Sequence, residues 1–155
     1  MDKSNIPQSL GVFKPVGHVV ITLRTADDLQ AAAAALQDQG FAASEMVRYT
    51  PEEMIAQVDA EVERASPLAS IGQDLNLIKA HRERALEGCS FLVVNAPEQA
   101  LVDKVDSLAH NLNAVAAQRY GRFVTEELID DTVAMNQTNE SPDTGLDDAA
   151  AAGRR

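Results

Sequence analysis

Residues 18–24 read HVVITLR and residues 90–95 read SFLVVN, and these two apolar runs decide the fold. Each is strand-like, and each is followed by a helix-like run. The first such run covers residues 25–39 and stops at Gly40-Phe41; the second covers residues 97–120 and stops at Gly121-Arg122-Phe123. A strand–helix–strand unit that occurs twice in so short a chain predicts an α+β fold, a four-stranded split βαβ sandwich of ferredoxin-like type. That architecture hosts many unrelated functions and by itself assigns none.

In the first run Val19, Ile21 and Leu23 alternate with His18, Val20, Thr22 and Arg24. One face of that strand is wholly apolar and the other is mixed. Thr25 is placed to cap the following helix, with Asp28 at its third position near the positive end of the dipole. Leu29, Ala32, Ala33 and Leu36 make the buried stripe. Residues 45–50 (EMVRYT) form a short second strand, and Thr50-Pro51-Glu52-Glu53 then opens a helix with a capping box and proline at the first position.

Between the two halves of the sandwich lies a helical pair over residues 51–87, where a minimal fold has only a hairpin. Met54, Ile55, Val58 and Val62 give its first helix an apolar face, and Leu68, Ile71, Leu75, Ile78 and Leu86 give the second one. In the last helical run Leu101, Val105, Leu108, Leu112 and Val115 recur at steps of four and three, close to a heptad seam. Residues 122–129 (RFVTEELI) supply the fourth strand. The domain is expected to span residues 17–129, after an irregular arm over 1–16 and before a disordered acidic tail over 130–155.

The full chain of 155 residues carries a net charge of −11. Six carboxylates against two arginines put −4 of it in residues 130–155, leaving −7 on the body. Such a field repels phosphate backbones and anionic lipid, so neither nucleic acid nor membrane is an expected partner. Cys89 is the only cysteine, which excludes an intrachain disulfide and fits a reducing cytoplasm. The first residues lack the charged-then-apolar pattern of a secretory signal, and no apolar run reaches the length of a membrane span.

No constellation of residues converges on a recognisable chemistry. His18, His81 and His110 have no mutual spacing suited to a metal, and no cofactor or metal is expected. Cys89 sits just past a helix C-terminus, where the dipole disfavours thiolate. The run 11–17 (GVFKPVG) precedes a strand rather than joining strand to helix, so it is not a phosphate loop. Glu126 and Glu127 point to opposite sides of a strand and cannot act as paired acid and base. An RNA-recognition reading fails because Glu87 and Cys89 stand where a basic and an aromatic residue are needed. Arg48-Tyr49 and Arg119-Tyr120 are the candidate ligand-binding residues, each arginine as a fork for an anion and each tyrosine as a platform.

The strands are apolar on both faces: Val19 and Val20, Phe91 and Leu92, Val93 and Val94. If helices cover one face, the other is too apolar to be left in water. Either the pair over 51–87 covers it or a second copy does, and the latter predicts a homodimer through an apolar sheet face.

The phrases Thr25-Ala26-Asp27-Asp28 and Leu36…Gly40-Phe41, followed by a short strand, make the first third of the chain resemble the bacterial heat-induced general stress proteins. Phe13-Lys14-Pro15-Val16-Gly17-His18-Val19-Val20 and Gly88-Cys89-Ser90-Phe91-Leu92-Val93-Val94 are similar to runs in uncharacterised proteobacterial proteins of this size. The resemblance implies a small cytosolic protein of stress conditions and carries over no catalytic residue. The leading expectation is a non-enzymatic stress-associated or regulatory protein that self-associates or binds a partner protein. The alternatives are a small-molecule or anion sensor at the Arg/Tyr residues, and a small enzyme of the dimeric α+β barrel kind with His18 or His81 in a cavity.

Overall fold

The computed structural model describes residues 8–9, 12–13, 15–64, 73–121 and 125–130. Of the tail expected over 130–155, Asp130 ends the last strand and residues 131–155 lie outside the described residues. In chain order the elements are β1 (Gln8–Ser9), β2 (Val12–Phe13), β3 (His18–Leu23), α1 (Ala26–Asp38), a 3-10 turn (Ala43–Glu45), β4 (Met46–Tyr49), α2 (Pro51–Arg64), α3 (Gln73–Leu86), β5 (Ser90–Asn95), α4 (Gln99–Asn111), β6 (Ala116–Tyr120) and β7 (Thr125–Asp130). The fold is α+β. A five-stranded antiparallel sheet runs in the order β4-β5-β3-β6-β7, and β1 and β2 pair in a small separate ribbon. In the part of the arm that is described, this ribbon replaces the irregular chain expected there, and β2 lies beside α2 and α3.

The two apolar runs lie side by side over their whole length. β3 and β5 pair from His18 opposite Asn95 to Leu23 opposite Ser90. Their burial on both faces follows from the absence of charge in either run between residues 19 and 23 or 90 and 95. α1 and α4 cover one face, where Val19, Ile21, Leu23, Leu92 and Val94 pack against Leu29, Ala33, Leu36, Val102, Val105 and Ala109. α2 covers the β4–β5 half of the other face, where Met54 and Val58 meet Val47, Tyr49, Phe91 and Val93, and Ile78 of α3 joins the same cluster.

The caps stand as the sequence predicts. Thr25 Oγ1 accepts from the Asp28 amide at 3.0 Å, Thr50 Oγ1 accepts from the Glu53 amide at 3.1 Å, and Glu53 Oε1 accepts from the Thr50 amide at 3.3 Å. Gly40 and Gly88 end α1 and α3 with φ of +102° and +97°, which an L side chain rarely adopts.

Four expectations are corrected. The sheet has five strands rather than four, because the last helix ends at Asn111 and residues 116–120 form β6. Asn113 takes the left-handed conformation (φ 56°) and turns the chain back. Val115, expected on the helical seam, instead joins the opposite core with Phe91 and Tyr120. On α2 the buried line is Met54, Val58 and Glu61, at i, i+4 and i+7, while Val62 is 41% exposed. Leu86, expected inside, is 60% exposed because its position follows the last inward residue of α3, Ala85. Leu68 and Ile71 lie outside the described residues.

Candidate functional site

Strand register sorts the side chains on the α2/α3 side of the sheet into rows. One row runs Tyr49, Phe91, Thr22, Ala116; the next runs Val47, Val93, Val20, Gln118, Glu127. Across each row the chemistry changes. The β4–β5 half is apolar and lies under α2, whereas from β3 outward Thr22, Gln118 and Glu127 are polar. That polar half borders a cleft of about 370 Å³ between the sheet and α3, lined by Thr22, Ala116, Gln118 and Glu127 below and by Leu77, Ala80, His81, Glu83, Arg84 and Glu87.

Thr22 is 0% exposed and Gln118 is 7% exposed, yet Thr22 Oγ1 and Gln118 Oε1 have no hydrogen-bond partner among the described residues. A buried polar atom left unmade costs about 1–3 kcal/mol. Two of them along one cleft wall leave hydrogen-bonding capacity that a molecule in the cleft would satisfy.

His81 closes the inner end. It projects from α3 onto the sheet, 2% exposed, with Nε2 2.8 Å from the Tyr120 hydroxyl and its ring edge-on to Phe91 at 5.6 Å. Burial pushes its pKa down to about 4, so the imidazole is neutral near pH 7. Deeper under α2, Glu61 is buried too. Its Oε1 accepts from Gln57 Nε2 at 2.9 Å and from Arg64 Nη2 at 2.8 Å, both on its own helix. Burial, and then the Glu61 carboxylate, push the Tyr49 phenol up to about 12.

The structure divides the four residues singled out from the sequence. Tyr49 and Tyr120 are buried on the α2/α3 side, Tyr120 as the partner of His81. Arg48 and Arg119 point to the other side, where Arg48 donates to Gln30 Oε1 of α1 at 2.8 Å and Arg119 donates to Gln99 Oε1 of α4 at 2.7 Å. β4 and β6 are separated by two strands, so the two guanidinium stems start about 14 Å apart across the sheet. Each arginine is thus bound at a helix–sheet seam, and no face brings all four side chains together.

The remaining candidates are dispersed. Cys89 is buried, and burial followed by the nearby Glu87 carboxylate pushes its thiol pKa up. His18 Nδ1 donates to the Val16 carbonyl at 2.9 Å at the end of β3, and His110 Nδ1 lies 3.0 Å from Asp106 Oδ1 on the solvent side of α4. Among the described residues no group of three His, Cys, Asp or Glu side chains is arranged to hold a metal ion, and no helix is long and apolar enough to cross a membrane.

Sequence reasoning missed Thr22, Gln118, Arg84 and Glu127 as a group. Thr22 was visible as the one polar residue between Val19 and Leu23. Gln118 was hidden because residues 116–120 read as helix. No protein-family model, characterised protein or solved structure matches this chain, so the site rests on its own geometry.

Proposed function

We propose that this protein is a non-enzymatic, ligand-responsive module of ferredoxin-like type whose small-molecule ligand occupies the cleft between α3 and the β3–β6–β7 half of the sheet. The fold part of this reading is supported by the order β4-β5-β3-β6, in which β3-α1-β4 and β5-α4-β6 interleave as two βαβ units. On this reading β7 and the α2/α3 pair are additions, and they make the cleft. Ligand sites in such folds are concave, with apolar walls and a few convergent polar groups. Here Leu77, Ala80 and Ala116 are the apolar walls.

The observation that carries the reading is the pair of buried, unpartnered oxygens of Thr22 and Gln118 on the cleft wall. A cytosolic regulatory setting, as in the stress-protein resemblance, fits a module that changes stability when it binds. α2 lies over the β4–β5 half of the face on which sheet-mediated self-association depended, so that apolar half is covered within one chain.

A fragment screen by NMR on the whole chain tests the reading. Binders are expected to shift the amide signals of Thr22, His81, Gln118 and Glu127 and to raise the melting temperature, since they bind only the native state. The double variant Thr22→Val/Gln118→Leu is expected to weaken the best binder by about fivefold or more. A screen that perturbs the cleft with no fragment refutes the reading.

One observation favours a second reading, a small enzyme. His81, a neutral imidazole bound to Tyr120, borders the same cleft and could exchange a proton with a bound molecule. Product formation from a cleft binder, abolished by His81→Gln with binding retained, would decide for it.

A further inference from the structure

We infer that the cleft takes a small organic cation, a primary amine on an apolar body, in preference to an organic anion. The inference rests on the cleft being a ligand site and goes on to the class of ligand.

The charges around the cleft are unequal. Glu83 and Glu87 stand four residues apart on α3, and Glu127 faces them from β7. All three are exposed at the rim. Among the described residues of the lining, the one fixed positive charge is Arg84. Its Nη1 lies 3.8 Å from Glu87 Oε1, so the two charges partly offset each other. His81 adds no positive charge near neutral pH, because burial holds it neutral. Among the described residues the cleft therefore carries three carboxylates against one guanidinium, a net negative lining, on a chain whose overall charge is −11. Charge of one sign around a low-dielectric cleft concentrates counter-ions of the other sign there.

An acidic rim alone would be a solvated helix face. The independent observation is the wall beneath it, where Thr22 Oγ1 and Gln118 Oε1 are buried without partners. Thr22 Oγ1 accepts a hydrogen bond from a ligand N–H as readily as it donates one, and Gln118 Oε1 can only accept. An ammonium or amine brings several donors and no net negative charge. A carboxylate brings acceptors alone, would leave Gln118 Oε1 unmade, and would face the rim glutamates. The walls of Leu77, Ala80 and Ala116 suit an apolar body.

A matched set of three compounds tests this on the full chain: tyramine, tyrosol and hydroxyphenylacetate, which share a phenol and differ in carrying an amine, an alcohol or a carboxylate. Titrations are followed by calorimetry and by the cleft amide signals. Tyramine is expected to bind most tightly, tyrosol next and the acid least. The amine-to-acid ratio should be roughly tenfold or more in about 50 mM salt and should shrink in about 500 mM salt. The variant Glu83→Gln/Glu87→Gln/Glu127→Gln alters only exposed side chains. It should collapse that ratio by weakening tyramine far more than tyrosol. An acid that binds as tightly as the amine overturns the inference, and so does a ratio that survives the glutamine substitutions. If the fragment screen finds neutral binders in the cleft and tyramine is not among its ligands, the charge preference is wrong while the site stands. If the screen perturbs nothing there, the site itself falls.

Discussion

Under α1 and α4, the inward side chains in the middle of β3 and β5 are Val19, Ile21, Leu92 and Val94, all closed into one apolar cluster. Under α2 and α3, the same two strands present Val20, Thr22, Phe91 and Val93, and the next strand adds Gln118. The first face is continuous with its helices. The second is continuous only where α2 lies over β4 and β5, and beyond that edge the sheet turns polar and the cleft opens. One strand thus serves two purposes because its side chains alternate: the residues at 19, 21 and 23 secure one core, while Val20 joins the opposite core and Thr22 the cleft wall. The difference suggests that stability and binding are separable here, a face at a time.

The sharpest way to break this comparison is to damage the closed face. Leu92 is fully buried in β5 between Ile21 and Arg48 of the neighbouring strands. Leu92→Ala is expected to cost about 4 kcal/mol, the lost transfer energy plus the cavity left in a tightly packed site. Urea denaturation reads this directly. A loss below about 1 kcal/mol would mean that the α1/α4 face can collapse around the gap and is not the rigid side of the molecule.

His81 marks the boundary between the two halves of the other face, and it makes stability depend on pH. Its pKa is about 4 in the folded chain against 6.5 for an ordinary histidine. Between those values the unfolded chain binds the proton that the folded chain refuses, so stability falls as pH drops from about 6.5 toward 4. The full difference corresponds to roughly 3 kcal/mol. Carboxylates titrate at the lower end of that window, so the contribution of His81 is read most cleanly between about pH 6.5 and 5. His81→Gln, which can still meet the Tyr120 hydroxyl, should flatten stability over that interval. An unchanged slope in the variant would show that the imidazole is less enclosed than the closeness of Phe91 and Tyr120 implies.

The same contrast explains what could be read from the sequence. The β3–β5 pair was legible because its apolar runs are short, uncharged and set off by glycine or capping residues at their ends. The starts of α1 and α2 were legible because Thr25 and Thr50 make local bonds that depend on no distant contact. The end of α4 was not. Leu108, Leu112 and Val115 continue the helical spacing, and the chain is turned by Asn113 alone, without glycine or proline. The run AAQRY that follows has helical propensity, but it lies between β3 and β7, and pairing on both sides overrides the local preference. The candidate site suffered from the same error. Gln118 enters the cleft only as a strand residue, and Arg48 and Arg119 drew attention as charges near tyrosines although strand alternation sends each arginine to the opposite side from its neighbour. Glu61 was illegible for another reason. Met54 and Val58 set the rotation of α2, and the position one turn on is buried whatever residue occupies it.

The smallest effect is the most informative, because its sign differs between the two faces. An ordinary buried position loses stability when it is altered. Thr22 sits fully buried on the cleft wall with its hydroxyl unpartnered, and valine has nearly its shape without the oxygen. Thr22→Val is therefore expected to leave stability unchanged or to raise it by about 1 kcal/mol, since an unmade hydrogen bond is removed and no packing is lost. The same variant should respond less to any cleft binder. Stability gained together with binding lost is the mark of a residue kept for its ligand, and it matches the general trade between the two at functional sites. If Thr22→Val instead destabilises by about 1 kcal/mol or more, the hydroxyl has a partner in the folded chain. The α2/α3 face would then be a second closed core, and the contrast between the faces would vanish.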